Sequence, residues 1–215
     1  MAGGECCRAN VFGKRQAERQ LSRYQRRGTD STTRMLIDAL RAQGVDGLSL
    51  LDIGGGIGAI ALELFKSGVT TATEVDASPA YISTASAEVE RQGLTDRVEC
   101  REGDFVALAA EIPSAGIVTL DRVICCYPDM HALVGQSAAK ASKLYGAVYP
   151  RDRWWVRMGV IPANFLLRLL RNPLQLYLHH TAEVDALIRS QGLAPRVHHN
   201  AGFWQVVIYA RSAPQ

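Results

Sequence analysis

The chain has 215 residues, 47% of them hydrophobic and 21% charged, with a net charge of +3. That balance excludes a disordered or fibrous chain and suffices for one substantial core with embellishments. The positive surplus is too mild to imply a nucleic-acid partner, although seven basic residues crowd Arg8 to Arg27 against Glu18 alone.

Residues 1–11 carry no periodicity and read as a loose tail. With no apolar leader, the chain is expected in the cytoplasm. Two of the cysteine pairs are adjacent, Cys6-Cys7 and Cys125-Cys126, which suits reduced thiols better than a disulfide framework. A basic helical stretch runs from about Phe12 to Arg26. "GTDS" then reads as a break and a helix cap, opening a helix with Met35, Leu36, Ala39 and Leu40 on one face and Gly44 as its stop. Residues 1–44 are thus expected to be a tail with capping helices, and 45–215 the main domain.

From residue 48 strands and helices alternate. Leu48–Ile53 reads as a buried strand, Ile57–Ser67 as a helix and Thr70–Val75 as a second strand. Ser78-Pro79 caps a helix bearing Tyr81, Ile82, Ala85 and Val89. Strands come next at Arg97–Glu102, Ile117–Leu120 and Leu144–Tyr149, with a helix from Asp129 to Ala141 before the last of these. Such alternation predicts an α/β, doubly wound, mostly parallel sheet with helices on both faces. Residues 151–180 form an insert. Its apolar run from Val160 to Leu178 is interrupted by Pro162, Arg168, Arg171 and Pro173, so it is a poor membrane span and reads as a lid of one or two short helices. After a helix from Ala182 to Ser190, two strands flank Ala201-Gly202, an antiparallel hairpin that would bring the sheet to seven strands.

"LLDIGGGIGA" joins the first strand to its helix. Glycines there let backbone approach a ligand, and the helix start offers free N–H groups to an anion. Gly54-x-Gly56-x-x-Ala59 fits the dinucleotide pattern, and Asp52-x-Gly54-x-Gly56-x-Gly58 fits a second one. Residues further along the chain favour the second: Asp76 ends strand two, and "EGDF" (Glu102 to Phe105) comes directly after strand three. In this order of parts the chain resembles the class I S-adenosylmethionine-dependent methyltransferases. That resemblance implies S-adenosylmethionine as cofactor and S-adenosylhomocysteine as product. It implies cofactor contacts from Asp52, Gly54, Gly55, Gly56, Gly58, Asp76, Ala77, Asp104, Phe105 and Asp121. Asp76 would accept from the ribose hydroxyls, Asp104 from the adenine amino group, and Phe105 would pack on the ring.

"YP" at Tyr127-Pro128, with a long apolar stretch after strand five, is similar to the magnesium-protoporphyrin O-methyltransferase branch. Cys126 stands where that branch has histidine, and Gly116 where an acidic residue is common. Tyr24, Cys126, Tyr127 and Asp129 are the candidate catalytic residues, Tyr24 because the resemblance implies an N-terminal helix covering the cofactor. Arg151, Arg153 and Arg157 among Trp154 and Trp155 suit an aromatic or anionic acceptor. His179-His180 and His198-His199 lack the spacing of zinc sites, so no metal is expected. The resulting expectation is in-line methyl transfer to a small, partly apolar or aromatic acceptor by a monomer or homodimer, with no transmembrane segment and at most weak surface association. The alternatives are a nucleic-acid or protein methyltransferase, a non-catalytic module holding the cofactor, and a dinucleotide-dependent oxidoreductase.

Overall fold

The computed structural model describes residues 13–170 and 175–211. The expected tail with Cys6 and Cys7 lies outside the described residues, as do Arg171 and Pro173. Five strands run parallel: β1 (Ser49–Ile53), β2 (Thr71–Asp76), β3 (Val98–Glu102), β4 (Ala115–Asp121) and β5 (Ala141–Pro150). β6 (Leu193–Ala201) and β7 (Trp204–Arg211) are the hairpin, and β7 pairs antiparallel with β5. The order β3-β2-β1-β4-β5-β7-β6 makes one seven-stranded sheet whose direction of growth reverses between β1 and β4. In a doubly wound sheet that reversal opens a crevice at the carboxyl ends of the strands, so topology alone locates the site.

Alternate strand residues feed two apolar layers. On one face Leu51, Ile53, Val118, Leu120 and Tyr145 pack under α6 (Met130–Lys140) and α8 (Thr181–Ser190). On the other, Leu50, Ile117, Val148 and Ile208 meet α2 (Ser31–Arg41), α3 (Ala59–Phe65) and α4 (Pro79–Arg91). Helices on both faces were the expectation, and both faces are covered. α2 belongs fully to this core: Leu36, Ile37 and Leu40 are buried in it. Gly146 of β5 makes the close approach possible, since a Cβ there would lie 2.8 Å from Leu36 Cδ1.

The helix starts obey local chemistry. Ser78 Oγ accepts from the Tyr81 N–H at the start of α4, with Pro79 opening the helix. Asp104 caps a short helix, α5 (Phe105–Leu108), that the sequence pattern had not announced. The basic helix α1 (Lys14–Arg27) lies across the carboxyl ends of the strands, fastened by Tyr24 to Glu63, Gln20 to Tyr81 and Gln25 to Glu88.

The insert departs from expectation. It holds one described helix, α7 (Trp154–Leu169), which starts before Val160 and runs through Pro162. Pro162 is exposed, where water serves the carbonyl that the proline leaves without a donor. The chain returns to the sheet where the Tyr177 N–H donates to the Cys125 carbonyl at 2.7 Å.

Asp30 joins α2 to β4. Its Oδ1 accepts from the Thr32 and Thr33 N–H groups at 3.0 and 3.1 Å, and its Oδ2 lies 2.8 Å from Arg122 Nη2. Asp30→Ala is expected to cost about 1–2 kcal/mol in urea unfolding. Asp30→Asn, which keeps a cap and loses the ion pair, should cost less.

Candidate functional site

A cavity of about 1030 Å³ opens at the predicted place, bounded by the β1–α3 loop, the ends of β2 and β4, and α1 above. Gly54, Gly55 and Gly56 form its floor. Gly54 and Gly56 adopt φ of 66° and 61°, a region that side chains disfavour, and a Cβ on Gly54 would lie 2.5 Å from Val123 Cγ2. The loop is stitched to β2 by the Gly54 N–H, which donates to the Val75 carbonyl at 2.7 Å.

Asp76 holds the next turn. Its Oδ2 accepts from the Gly56 N–H at 3.1 Å and its Oδ1 from the Ser78 N–H at 2.8 Å. Burial lifts this carboxyl above its ordinary range while the two N–H donors favour its ionised form. It lines the cavity beside Ala77. Across from it, Asp104 and Phe105 line the same wall, and Phe105 is also buried in the core. The Tyr127 hydroxyl donates to the Asp104 carboxylate, 3.0 Å from Oδ1 and 2.9 Å from Oδ2.

Residues 50–146 match a family model described as a methyltransferase domain. Over those residues, under half of its length, the chain carries a methyltransferase domain, and the fold is the Rossmann-like class I fold. The family's cofactor is S-adenosylmethionine, and the magnesium protoporphyrin IX methyltransferase of Synechocystis, with bound S-adenosylhomocysteine, has the same fold: TM-score 0.65 at 18% identity, over 89% of this chain and 94% of that one. An O-methyltransferase family protein from Burkholderia thailandensis gives a TM-score of 0.66 at 20% identity, over 99% of this chain and 68% of that one. In sequence, the ribosomal protein L11 methyltransferase of Escherichia coli is 28% identical over 123 residues, which is 54% of this chain and 42% of that protein. The match therefore spans under half the length of this curated relative.

Two expected contacts of the methyltransferase domain fall outside the cavity wall. Asp52 is completely buried behind the glycine loop, its Oδ1 accepting from Thr119 Oγ1 at 2.6 Å. Gly58 caps α3 at φ 74°, where it turns the chain into the helix. Asp121 does line the cavity, held by Thr33 Oγ1 and by Arg122, whose Nε lies 2.9 Å from Oδ1.

The catalytic candidates take different places. Tyr24 lines the cavity, but its hydroxyl donates to Glu63 Oε1 at 2.9 Å, and burial beside that carboxylate pushes the phenol pKa upward. That bond fastens α1 to α3. Tyr127 is committed to Asp104. Asp129 is exposed and caps α6 by accepting from the Ala132 N–H at 2.9 Å, so it is off the cavity. Cys126 lines the cavity as Tyr24 and Tyr127 do, its Sγ 3.7 Å from both Cys125 Sγ and the Arg122 carbonyl oxygen. Arg151, Arg153, Arg157, Trp154 and Trp155 do not line the cavity; Arg157 pairs with Asp152 at 2.8 Å. His179 Nε2 lies 3.3 Å from the Tyr127 carbonyl oxygen, behind the wall.

Sequence reasoning missed two features. Arg122 stands at φ 63°, unusual for a non-glycine residue, and is held there by Asp30 and Asp121. No sequence signal announces that backbone. Glu74 did leave one, a carboxylate amid the second strand. It is register partner to Asp52, and both lie completely buried under Gly55, where a Cβ would collide with Glu74 Oε2. Asp52 Oδ2 and both Glu74 oxygens have no hydrogen-bond partner. Burial pushes Asp52 up to about 7, with the charges of Asp121 and Asp76 adding to it, and pushes Glu74 well above its ordinary value, with the charges of Asp52 and Asp76 adding to it.

The folded chain thus keeps a proton on Asp52 that the unfolded chain releases near pH ~4. Stability is expected to fall as pH rises between about 4 and about 7. Glu74→Gln removes one of the opposed charges and should flatten that decline. Thermal unfolding should place its midpoint above wild type at pH 8 by about 3 °C or more, with a smaller gap at pH 5.

Proposed function

We propose that the chain transfers a methyl group from S-adenosylmethionine to a small, partly apolar or aromatic acceptor. The observation that carries this reading is Asp76, fixed at the cavity wall by Gly56 and Ser78 N–H groups with further lone pairs left for a ribose diol. Asp104, oriented by Tyr127 and the Val106 N–H, would accept from the adenine amino group, with Phe105 against the ring. Gly54, Gly55, Gly56 and Ala77 would give the cofactor close backbone contact. Arg19 and Arg23 line the cavity from α1 and suit a carboxylate, whether of the cofactor or of the acceptor.

When bound, S-adenosylmethionine supplies an electrophilic methyl carbon whose bond to sulfur breaks as the acceptor's lone pair attacks, leaving neutral S-adenosylhomocysteine. The residues around it have mainly a positioning task, since nucleophile, methyl and sulfur must be collinear. Gln16, Arg19, Gln20, Arg23 and Tyr24 of α1 cover one side of the cavity. Asp121 and Arg122 hold the end of β4, and the Cys126 thiol sits at the same wall. With the Tyr24 and Tyr127 hydroxyls engaged elsewhere, an acceptor whose nucleophilic atom arrives unprotonated suits the site best. Apolar Ile57, Val123 and Leu133 in the lining favour the partly apolar character, and the cavity is at the upper end of small-molecule sites, leaving room for acceptor beside cofactor.

Titration calorimetry with S-adenosylmethionine and S-adenosylhomocysteine, with NADH as control, tests the cofactor. Both sulfur ligands should bind, and Asp76→Ala should weaken them about a hundredfold through loss of charge-assisted hydrogen bonds. Binding of NADH instead would overturn the reading. Turnover on an acceptor panel then separates the enzyme from a module that only holds the cofactor. Methylation confined to a protein or RNA in that panel would replace the small acceptor.

A further inference from the structure

α7 inverts the usual amphipathic rule, in which the solvent face is polar. Its sheet-facing side is modest, with Val156 and Val160 buried. Its outward stripe is Trp154, Met158, Ile161, Phe165 and Leu169, spaced four, three, four and four residues apart, and each is between 65% and 73% exposed. Trp155, Leu166 and Leu170 widen the stripe. Isolated exposed apolar residues need no explanation, but a continuous helical face of eight large ones marks an interaction surface.

The charges beside the stripe indicate what it meets. By helical spacing, Arg153, Arg157 and Arg168 fall along one flank, where long stems can run along apolar surface and carry the guanidinium outward. Asp152, paired with Arg157 and His180, is the one acid between residues 151 and 170. The second basic element, α1, lies at the same end of the sheet: α7 begins just past the carboxyl end of β5, and its return is tied to the turn after β4. A two-fold pairing of α7 with a second copy would set these arginines against their own kind, without acidic partners on the stripe. Nor does α7 span a bilayer, as no described helix is long and apolar enough to do so.

We propose that α7 docks lengthwise on an anionic lipid surface, its Trp154-to-Leu169 stripe in the acyl boundary and its arginines among acidic headgroups. Docking in this way turns the carboxyl end of the sheet, where the cavity opens, toward the membrane. The inference stands on the helix face and does not depend on the methyl-transfer reading.

Flotation of the full chain with phosphatidylcholine vesicles, with and without phosphatidylglycerol, tests it. At low salt the chain should float with the anionic vesicles, with tryptophan emission shifted to the blue, and stay behind with the neutral ones. The double variant Phe165→Glu/Leu169→Glu should lose about tenfold or more in vesicle affinity. Both positions are exposed, so its thermal midpoint and its calorimetric behaviour toward S-adenosylhomocysteine should match wild type. Absence of flotation with anionic vesicles would overturn the proposal, as would a double variant that floats like wild type. A lipid-free dimer in sedimentation that the double variant abolishes would assign the stripe to a second copy instead.

Discussion

Everything at the ligand end of this molecule depends on bringing the backbone of residues 54–56 against the carboxyl end of β2. Two bonds enforce it, from the Gly54 N–H to the Val75 carbonyl and from the Gly56 N–H to Asp76. A side chain at Gly54 would meet Val123, and one at Gly55 would meet Glu74. The glycines are therefore dictated from below and from the side as well as by any ligand above. Because Asp76 spends one lone pair on each of two backbone donors, the loop and the start of α4 move together with it.

A second constraint runs across the mouth. Arg122, in a backbone conformation costly for arginine, links Asp121 at the end of β4 to Asp30 at the start of α2. Strain of that kind persists only where surrounding contacts over-determine it. Here the contacts come from a strand end and a helix cap far apart in sequence, so the mouth is set by tertiary structure. α1 then lies over it, held by polar bonds at Gln20, Tyr24 and Gln25 and by a small apolar cluster of Ala17 and Leu21 with Ile57 and Tyr81. A cover fastened mainly in this way is the natural part to open for ligand exchange.

The fold was legible because its signals were local and redundant. Apolar runs of five or six residues, glycine stops and the Ser78-Pro79 cap each marked an element, and their alternation left little choice of topology. The cavity wall was legible for the same reason, since Gly54, Gly56, Asp76 and Asp104 all sit at or just past strand ends. The partners of the catalytic candidates were not legible. Residue type and approximate position recommended Tyr24 and Tyr127, but a hydroxyl's role depends on which carboxylate it meets, and Glu63 and Asp104 are 39 and 23 residues away. Asp129 was recommended by its place after β4 and serves the next helix as a cap. In the insert, the prolines suggested breaks, whereas Pro162 on an exposed helical face is tolerated.

The packing of α2 also constrains the order in which the molecule can be assembled. α2 beds on β5 and β7, with Leu36 and Leu40 in the same apolar layer as Val206 and Ile208. A helix that precedes every strand of the sheet in the chain therefore waits for β7, the last of the seven, before its apolar face is covered. β7 in turn enters between β5 and β6, so the sheet is completed from its interior and not by adding an outer edge. On a ribosome the nascent chain would carry that uncovered face until β7 has emerged, which favours slow, late consolidation and exposure to chaperones.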